Sequence, residues 1–95
     1  MRRAAAELGA FGEVLAAHPD LVVVADEIYE CIHWAAEPFV SFAQACPDLY
    51  GRTVTVNGVS KAYAMTGWRL GYGIMPQELA AAVAKLQTNC TSCTA

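Results

Sequence analysis

Positive charge is scarce in this sequence, and long apolar runs are missing. Six lysines and arginines stand against nine aspartates and glutamates, which gives a formal net charge of −3. Nucleic acids and anionic membranes are bound by basic patches, so we expect neither as a partner. No stretch approaches the roughly 18 to 20 consecutive apolar residues of a membrane helix. Glu7 and Glu13 interrupt the alanine-rich start that would otherwise resemble a signal peptide, so we expect a cytoplasmic protein.

Residues that bind metals are also few and poorly grouped. Cys90 and Cys93 form a CxxC pair, but the remaining two cysteines and two histidines show no second tight pair. A structural zinc site needs four ligands, and a thioredoxin-like motif opens a helix rather than following one. The sequence therefore predicts no metal site, and it leaves open whether the pair has any role beyond that of reduced, incidental thiols.

Two segments do carry chemically useful groups. Residues 26–30 read Asp-Glu-Ile-Tyr-Glu, and residues 57–71 place a lysine in a Gly/Ser loop with an arginine eight residues later. Pyridoxal 5′-phosphate (PLP) needs an amine for its aldehyde and a carboxylate that keeps its pyridine nitrogen protonated. Its phosphate suits a planar, bidentate cation. Together the two segments indicate a PLP enzyme.

This interpretation gives five residues a role. Lys61 supplies the amine of the Schiff base, and Asp26 pairs with the pyridinium. Tyr29 places a phenol near the ring oxygen. Ser60 and Arg69 bind the phosphate.

The same residues also have ordinary structural interpretations. Most lysines are solvated surface groups, and a charged residue directly after a strand, such as Asp26, is often a helix cap. The tyrosine can be a packed aromatic residue. Arg69 can form an ion pair with Glu27 or Glu30. A motif needs structural context before these alternatives can be separated.

The lysine segment resembles the class I aminotransferases of the fold-type I PLP family, most closely the bacterial aspartate aminotransferase branch. The resemblance rests on Gly58 three residues before the lysine, Ser60 immediately before it, and Gly67, Arg69 and Gly71 after it. One departure is Gly58 itself, where some relatives have a serine that adds a hydroxyl to the phosphate site.

The resemblance implies an α/β fold with a mostly parallel sheet flanked by helices. It also implies transamination between an amino acid and a 2-oxo acid, in a homodimeric enzyme in which Lys61 additionally transfers protons. Two functional alternatives use the same residues: a PLP-dependent lyase or synthase of the same fold, and a PLP-sensing domain of a transcriptional regulator. A third alternative is a truncated product that neither folds nor binds well.

The chain also lacks parts that the family normally has. Its members have a small domain, a Gly-rich phosphate loop, an aromatic residue that stacks on the cofactor, and an arginine for the substrate carboxylate, and none of these stands in the 95 residues. A hydrophobic content of 56% also exceeds what a small core can bury. We therefore expect residues 1–95 to be part of the PLP-binding large domain, inactive in isolation.

Periodicity predicts alternating helices and strands. Residues 4–17 and 76–88 have helical spacing, and residues 41–45 suggest a short helix within an irregular connector. Residues 21–25 form an apolar, β-branched run that predicts a strand buried on both faces, with Asp26 at its carboxyl end. Residues 53–56 predict a second strand, and residues 68–74 a third, which is antiparallel in the family. The first two strands should bring Asp26 and the lysine to one edge.

Overall fold

Three strands form one sheet in the computed structural model of this chain, which describes residues 2–91. In chain order the helices and strands are α1 (Arg2–Ala16), β1 (Val23–Asp26), α2 (Phe42–Ala45), β2 (Thr53–Gly58), α3 (Val59–Ala62), β3 (Gly71–Ile74) and α4 (Gln77–Cys90). Two 3-10 helices complete the described part, at Pro47–Arg52 and Thr66–Trp68.

The sheet has the order β1-β2-β3 and mixes the two kinds of pairing. β1 runs parallel to β2, with Val23 opposite Thr53 and Asp26 opposite Val56. β3 runs antiparallel to β2, with Gly58 opposite Gly71, which confirms the predicted direction of the third strand. Because β1 and β2 are parallel, their carboxyl ends lie at the same edge of the sheet.

A small core covers one face of β1. Phe42, Cys46 and Leu49 are buried. Partly buried apolar residues pack against them: Leu8, Leu15, Val23, Ala25 and Ala45. Side chains alternate along a strand, so Val23 and Ala25 turn toward α1 and α2 while the next residues turn away.

The prediction that β1 is buried on both faces is wrong for this chain. Val24 is 67% exposed and Val22 55% exposed, because the described elements pack only on the face of Val23 and Ala25. β1 is also an edge strand, paired with β2 alone. A cavity of about 850 Å³ opens beside β1, lined mainly by apolar residues of α1, β1 and residues 33–42.

Two further predictions differ from the structure in detail. The lysine segment is not a loop: Asn57 and Gly58 continue β2, and Lys61 lies in the single helical turn α3. Such a turn follows a strand too closely for hydrophobic periodicity to reveal it. The predicted connector contains the expected short helix α2, but it also contains the 3-10 helix Pro47–Arg52, which begins with a proline and ends at β2.

Arg52 holds β1 in place relative to the rest of the fold. Its Nη1 donates to the carbonyl oxygens of His18 at 2.9 Å and Leu21 at 2.6 Å, and its Nη2 donates to that of Leu15 at 2.5 Å. The guanidinium thus satisfies carbonyls at the end of α1 and in the turn that leads into β1. Because Arg52 directly precedes β2, these bonds help to fix the alignment of the two parallel strands.

No helix in the described part of the chain has both the length and the apolar character needed to cross a membrane.

Candidate active site

The candidate site lies where β1 and β2 end. Asp26 is the last residue of β1, and Gly58, three residues before Lys61, is the last residue of β2. The backbone N–H of Glu27 donates to the Val56 carbonyl at 2.9 Å, so the pairing of the two strands continues one residue beyond β1. Both segments that carry the predicted chemistry therefore start from one edge of the sheet.

Tyr29 and Lys61 are in contact at this edge. Residues 27–30 form a turn closed by a 3.0 Å bond from the Glu30 N–H to the Glu27 carbonyl, and Tyr29 lies within that turn. The Lys61 Nζ lies 5.4 Å from the centroid of the Tyr29 ring, within the range of a cation–π interaction. The lysine is half-buried, and among the described residues this ring is the only partner of its ammonium group. Lys61 is therefore not simply a solvated surface lysine.

Close backbone contact after β2 sets the position of Lys61. The Val59 N–H donates to the Leu70 carbonyl at 3.4 Å, and the Val59 carbonyl accepts from Tyr63 at 3.2 Å. A Cβ at Gly58 would lie 2.8 Å from the Leu70 carbonyl oxygen, so a side chain there forces the backbone to shift. A serine at this position would therefore require the backbone near Leu70 to move.

Ser60 and Arg69 flank the bond between Val59 and Leu70. Ser60 directly follows Val59, the donor of that hydrogen bond, and Arg69 directly precedes Leu70, the acceptor. Arg69 has a left-handed backbone conformation with φ of 55°, and its Nη1 donates to the Thr66 carbonyl at 3.1 Å. The rest of its exposed guanidinium has no hydrogen-bond or ion-pair partner among the described residues, so the alternative of a structural pair with Glu27 or Glu30 is wrong there.

Asp26 is exposed at the edge of the sheet. Its Oδ1 accepts weakly from the Ile28 N–H at 3.4 Å, which makes it a partner of the following turn rather than a helix cap. It alternates with Ala25, whose side chain packs on the core, so the carboxylate points to the face that the described helices α1 and α2 leave open. PLP chemistry calls for a covered carboxylate, and only a bound ring or further chain would cover this one.

Glu27 lies next to the site without reaching it, and the sequence interpretation gave it no part beyond a possible ion pair with Arg69. Its side chain is 9% exposed, and its Oε1 accepts from the Phe42 N–H at 2.7 Å. The one available signal was an acidic residue directly after a buried strand, where Asp26 was the better candidate because ligands bind at strand ends.

The three cysteines within the described residues form no second site. Cys46 is buried and its Sγ donates to the Leu8 carbonyl at 3.3 Å, whereas Cys31 and Cys90 are exposed free thiols. Cys93, the other member of the CxxC pair, lies outside the described residues. Within residues 2–91, no three histidine, cysteine or acidic side chains are grouped closely enough to hold a metal ion.

The chain is similar to known proteins over nearly its full length. A family model described as aminotransferase class I and II matches residues 4–95. An aspartate/prephenate aminotransferase of Nitrosomonas europaea is 49% identical over 90% of this chain and 22% of its own length. An aspartate aminotransferase of Rhizobium meliloti is 53% identical over 85% of this chain and 20% of its own length.

Solved structures show the same fold. The crystal structure of the aspartate aminotransferase from Rhizobium meliloti superposes with a TM-score of 0.90 and 49% identity, covering 96% of this chain and 23% of that one. An aromatic aminotransferase from Pyrococcus horikoshii gives a TM-score of 0.82 and 36% identity over 92% and 23% of the two chains. The predicted α/β fold is confirmed, and the chain spans about a fifth of the length of the curated relatives it matches.

Proposed function

The chain belongs to the class I and II aminotransferases, and on that premise we propose that it forms part of a PLP-dependent enzyme that transfers an amino group from an amino acid to a 2-oxo acid. The relatives that it matches are four to five times as long. We therefore assign the activity to a longer protein, called the full-length protein below, in which residues 1–95 form part of the PLP-binding large domain. On its own, the 95-residue chain is inactive.

The residues at the sheet edge fit PLP by their chemistry. They offer one amine at Lys61, one carboxylate at Asp26, one phenol at Tyr29, and hydroxyl and guanidinium donors at Ser60 and Arg69. The Arg69 guanidinium N–H groups that have no partner among the described residues could bind an anion, and the Asp26 carboxylate is exposed to a ligand ring. When bound, PLP supplies an electron sink that makes loss of the substrate α-proton possible.

The contact between the Lys61 Nζ and the Tyr29 ring is the observation that carries the proposal. In this contact the lysine of the second segment lies against the tyrosine of the first, at the edge where a parallel sheet binds its ligands. Lys61 would hold the cofactor through its Nζ, and the same amine, when free, would be the base for the proton on the substrate α-carbon. Asp26 holds a proton on the pyridine nitrogen, and Tyr29 donates its hydroxyl to the ring oxygen.

Ser60 and Arg69, which lie beside the hydrogen bond from the Val59 N–H to the Leu70 carbonyl, bind the phosphate of the cofactor. The Arg69 guanidinium offers a planar pair of N–H donors, and Ser60 offers its hydroxyl.

The groups that bind the substrate carboxylate are not among the residues described. The relatives' names make aspartate the first amino donor to test. The proposal includes a homodimer and a cytoplasmic location.

The test is made on the full-length protein with PLP. Treatment with borohydride fixes the cofactor to its lysine, and peptide mass spectrometry then locates it; we expect the added mass on Lys61. Lys61→Ala should lose both this mass and the conversion of aspartate and 2-oxoglutarate into oxaloacetate and glutamate. Lys85→Ala, which removes an exposed lysine of α4, is the matched control and should keep both.

Three results would contradict the proposal. The first is cofactor attached to another lysine, and the second is normal turnover in Lys61→Ala. The third is a wild-type protein that does not transaminate: a lyase or synthase would consume the amino acid without forming glutamate in step, and a PLP-sensing regulator would show no turnover at all.

A further inference from the structure

Glu27 is held by three hydrogen bonds that point in three directions. Its N–H donates to the Val56 carbonyl of β2 at 2.9 Å. Its own carbonyl accepts from the Glu30 N–H at 3.0 Å, which closes the turn that contains Tyr29. Its carboxylate accepts from the Phe42 N–H at 2.7 Å, at the start of α2. One residue thus joins β2, the tyrosine turn and α2.

The carboxylate bond completes the capping of α2. The Ser41 N–H donates to the Gln44 side chain at 3.1 Å, and the Gln44 N–H donates to the Ser41 hydroxyl at 3.1 Å. The Phe42 N–H is a further donor of the first turn that has no partner within the helix. Phe42 is 7% exposed, so without Glu27 its N–H would lack a partner in a place that water barely reaches. The bond also ties residue 27 to a helix fifteen residues later.

Adjacent acids at the end of β1 therefore have opposite tasks. The Asp26 carboxylate is exposed at the candidate cofactor face, whereas that of Glu27 is buried against α2. Glu27 does not reach the site itself. The turn that follows it does, because it carries the Tyr29 ring to within 5.4 Å of the Lys61 Nζ.

We propose that Glu27 is a positioning residue, whose bond to the Phe42 N–H holds the Tyr29 turn in register with Lys61. This inference rests on the proposed function. Loss of the bond releases residues 27–32 from α2, and a displacement of about 1 Å in the tyrosine is enough to reduce turnover by up to roughly 100-fold. A glutamine at this position keeps an oxygen that accepts the Phe42 N–H, so the role depends on the acceptor rather than on the charge.

The test compares three variants of the full-length protein. In Glu27→Ala we expect kcat to fall by about 10- to 100-fold with little change in KM, while Glu27→Gln retains most of the turnover. Glu30→Ala is the control, since it shortens a glutamate in the same turn whose side chain makes no bond among the described residues. Amide hydrogen exchange of the apoprotein, measured by mass spectrometry, should rise in peptides covering residues 27–32 and 41–46 only in Glu27→Ala.

Failure of the two proposals can be told apart. A wild-type protein without transamination contradicts the proposed function, and the exchange data on the apoprotein still decide whether Glu27 orders the turn. Equal exchange in all three variants, or equal losses of kcat in Glu27→Gln and Glu27→Ala, would overturn the positioning role. A uniform rise in exchange across the sheet would assign Glu27 to global stability instead, and would overturn it too.

Discussion

The ring of Tyr29 contacts Lys61, whereas its hydroxyl is the group that we propose to bind the cofactor. The ring faces the Lys61 ammonium, and at 57% exposure of the tyrosine this contact is worth only about 0.5 to 1 kcal/mol. The value of the ring lies in orienting the amine. The hydroxyl instead has the proposed task of binding the cofactor ring oxygen, so the two parts of the side chain can be separated by substitution.

Removing the hydroxyl alone should have a smaller effect than removing the whole side chain. In the full-length protein we expect Tyr29→Phe to lower kcat/KM roughly tenfold, the effect of one lost hydrogen bond to a polar or charged group. Tyr29→Ala also loses the ring beneath Lys61 and should lower it further. Steady-state kinetics at several pH values measure both variants. Equal losses in the two would show that the ring does not orient the lysine.

Asp26 should affect chemistry more than cofactor retention. Without its carboxylate the pyridinium loses its partner, and we expect Asp26→Ala to lower kcat by on the order of 10²-fold. The proposed phosphate contacts at Ser60 and Arg69 are unaffected by this change, so the affinity for PLP should change much less. Turnover and PLP titration of the apoprotein check this, with Asp20→Ala, an exposed acid in the turn before β1, as control. Near-normal turnover in Asp26→Ala would refute the role.

The sequence yields candidate site residues where their chemistry is distinctive, and their roles stay predictions, whereas it gives no sign of a residue that works through position. Lys61 and Arg69 belong to a motif whose spacing suggested an amine for the cofactor and a cation for its phosphate. Glu27 works through a bond to Phe42, fifteen positions away, and no local pattern contains that information. The exposure of Asp26 was unexpected for a related reason, since it depends on which elements cover β1.

At the level of elements, α1 packs on α2 through a glycine. A Cβ at Gly12 would lie 2.5 Å from the buried Cys46 Sγ, whereas a Cβ at Gly9, one turn earlier, would meet nothing within 4 Å. Gly12 therefore permits α1 to approach Cys46, whereas Gly9 makes no such contact and only lowers the stability of the helix itself. The two glycines form a matched pair within one helix.

Alanine substitutions at these glycines should have opposite effects on the stability of the full-length protein. Gly9→Ala should stabilise it by up to about 1 kcal/mol, because alanine is the better helix former. Gly12→Ala should destabilise it by about 1 to 3 kcal/mol, because it crowds the sulfur and disturbs the bond to Leu8. Denaturant unfolding measures both changes.

A second substitution tests the cause. Cys46→Ala removes the sulfur that the new methyl group would meet, so the double variant Gly12→Ala, Cys46→Ala should lose less stability than the sum of the single variants. Strict additivity of the two losses would show that the sulfur is not the obstacle.

The bounds of helices and strands with strong periodicity were predicted well, but which of their faces are buried was not. Residues 4–17 and 53–56 match α1 and β2 closely, since helical spacing and β-branched alternation act locally. Residues 21–25 match β1, shifted by two positions at its start. Their apolar run also predicted burial on both faces, which holds only if other elements cover the second face.

The whole molecule leaves too much surface open for a protein of its size. Its accessible surface is 7222 Å², against about 5,300 Å² for a folded monomer of this length. The radius of gyration is 15.0 Å, against roughly 12.4 Å for a compact domain of 95 residues. The excess includes the open cavity along β1, where Phe11, Leu21 and Val24 are all at least half exposed. An uncovered apolar edge strand of this kind pairs readily with other chains.

The isolated 95-residue chain should therefore not behave as an independent domain. We expect a broad thermal transition in circular dichroism without a cooperative midpoint, together with concentration-dependent aggregation, because the buried core is small and the β1 edge is unpaired. The full-length protein, in which further chain can cover this edge, should melt cooperatively. A sharp, reversible transition of the isolated chain as a monomer would show that the open face of β1 needs no covering, and that the sheet edge carrying Asp26 is stable by itself.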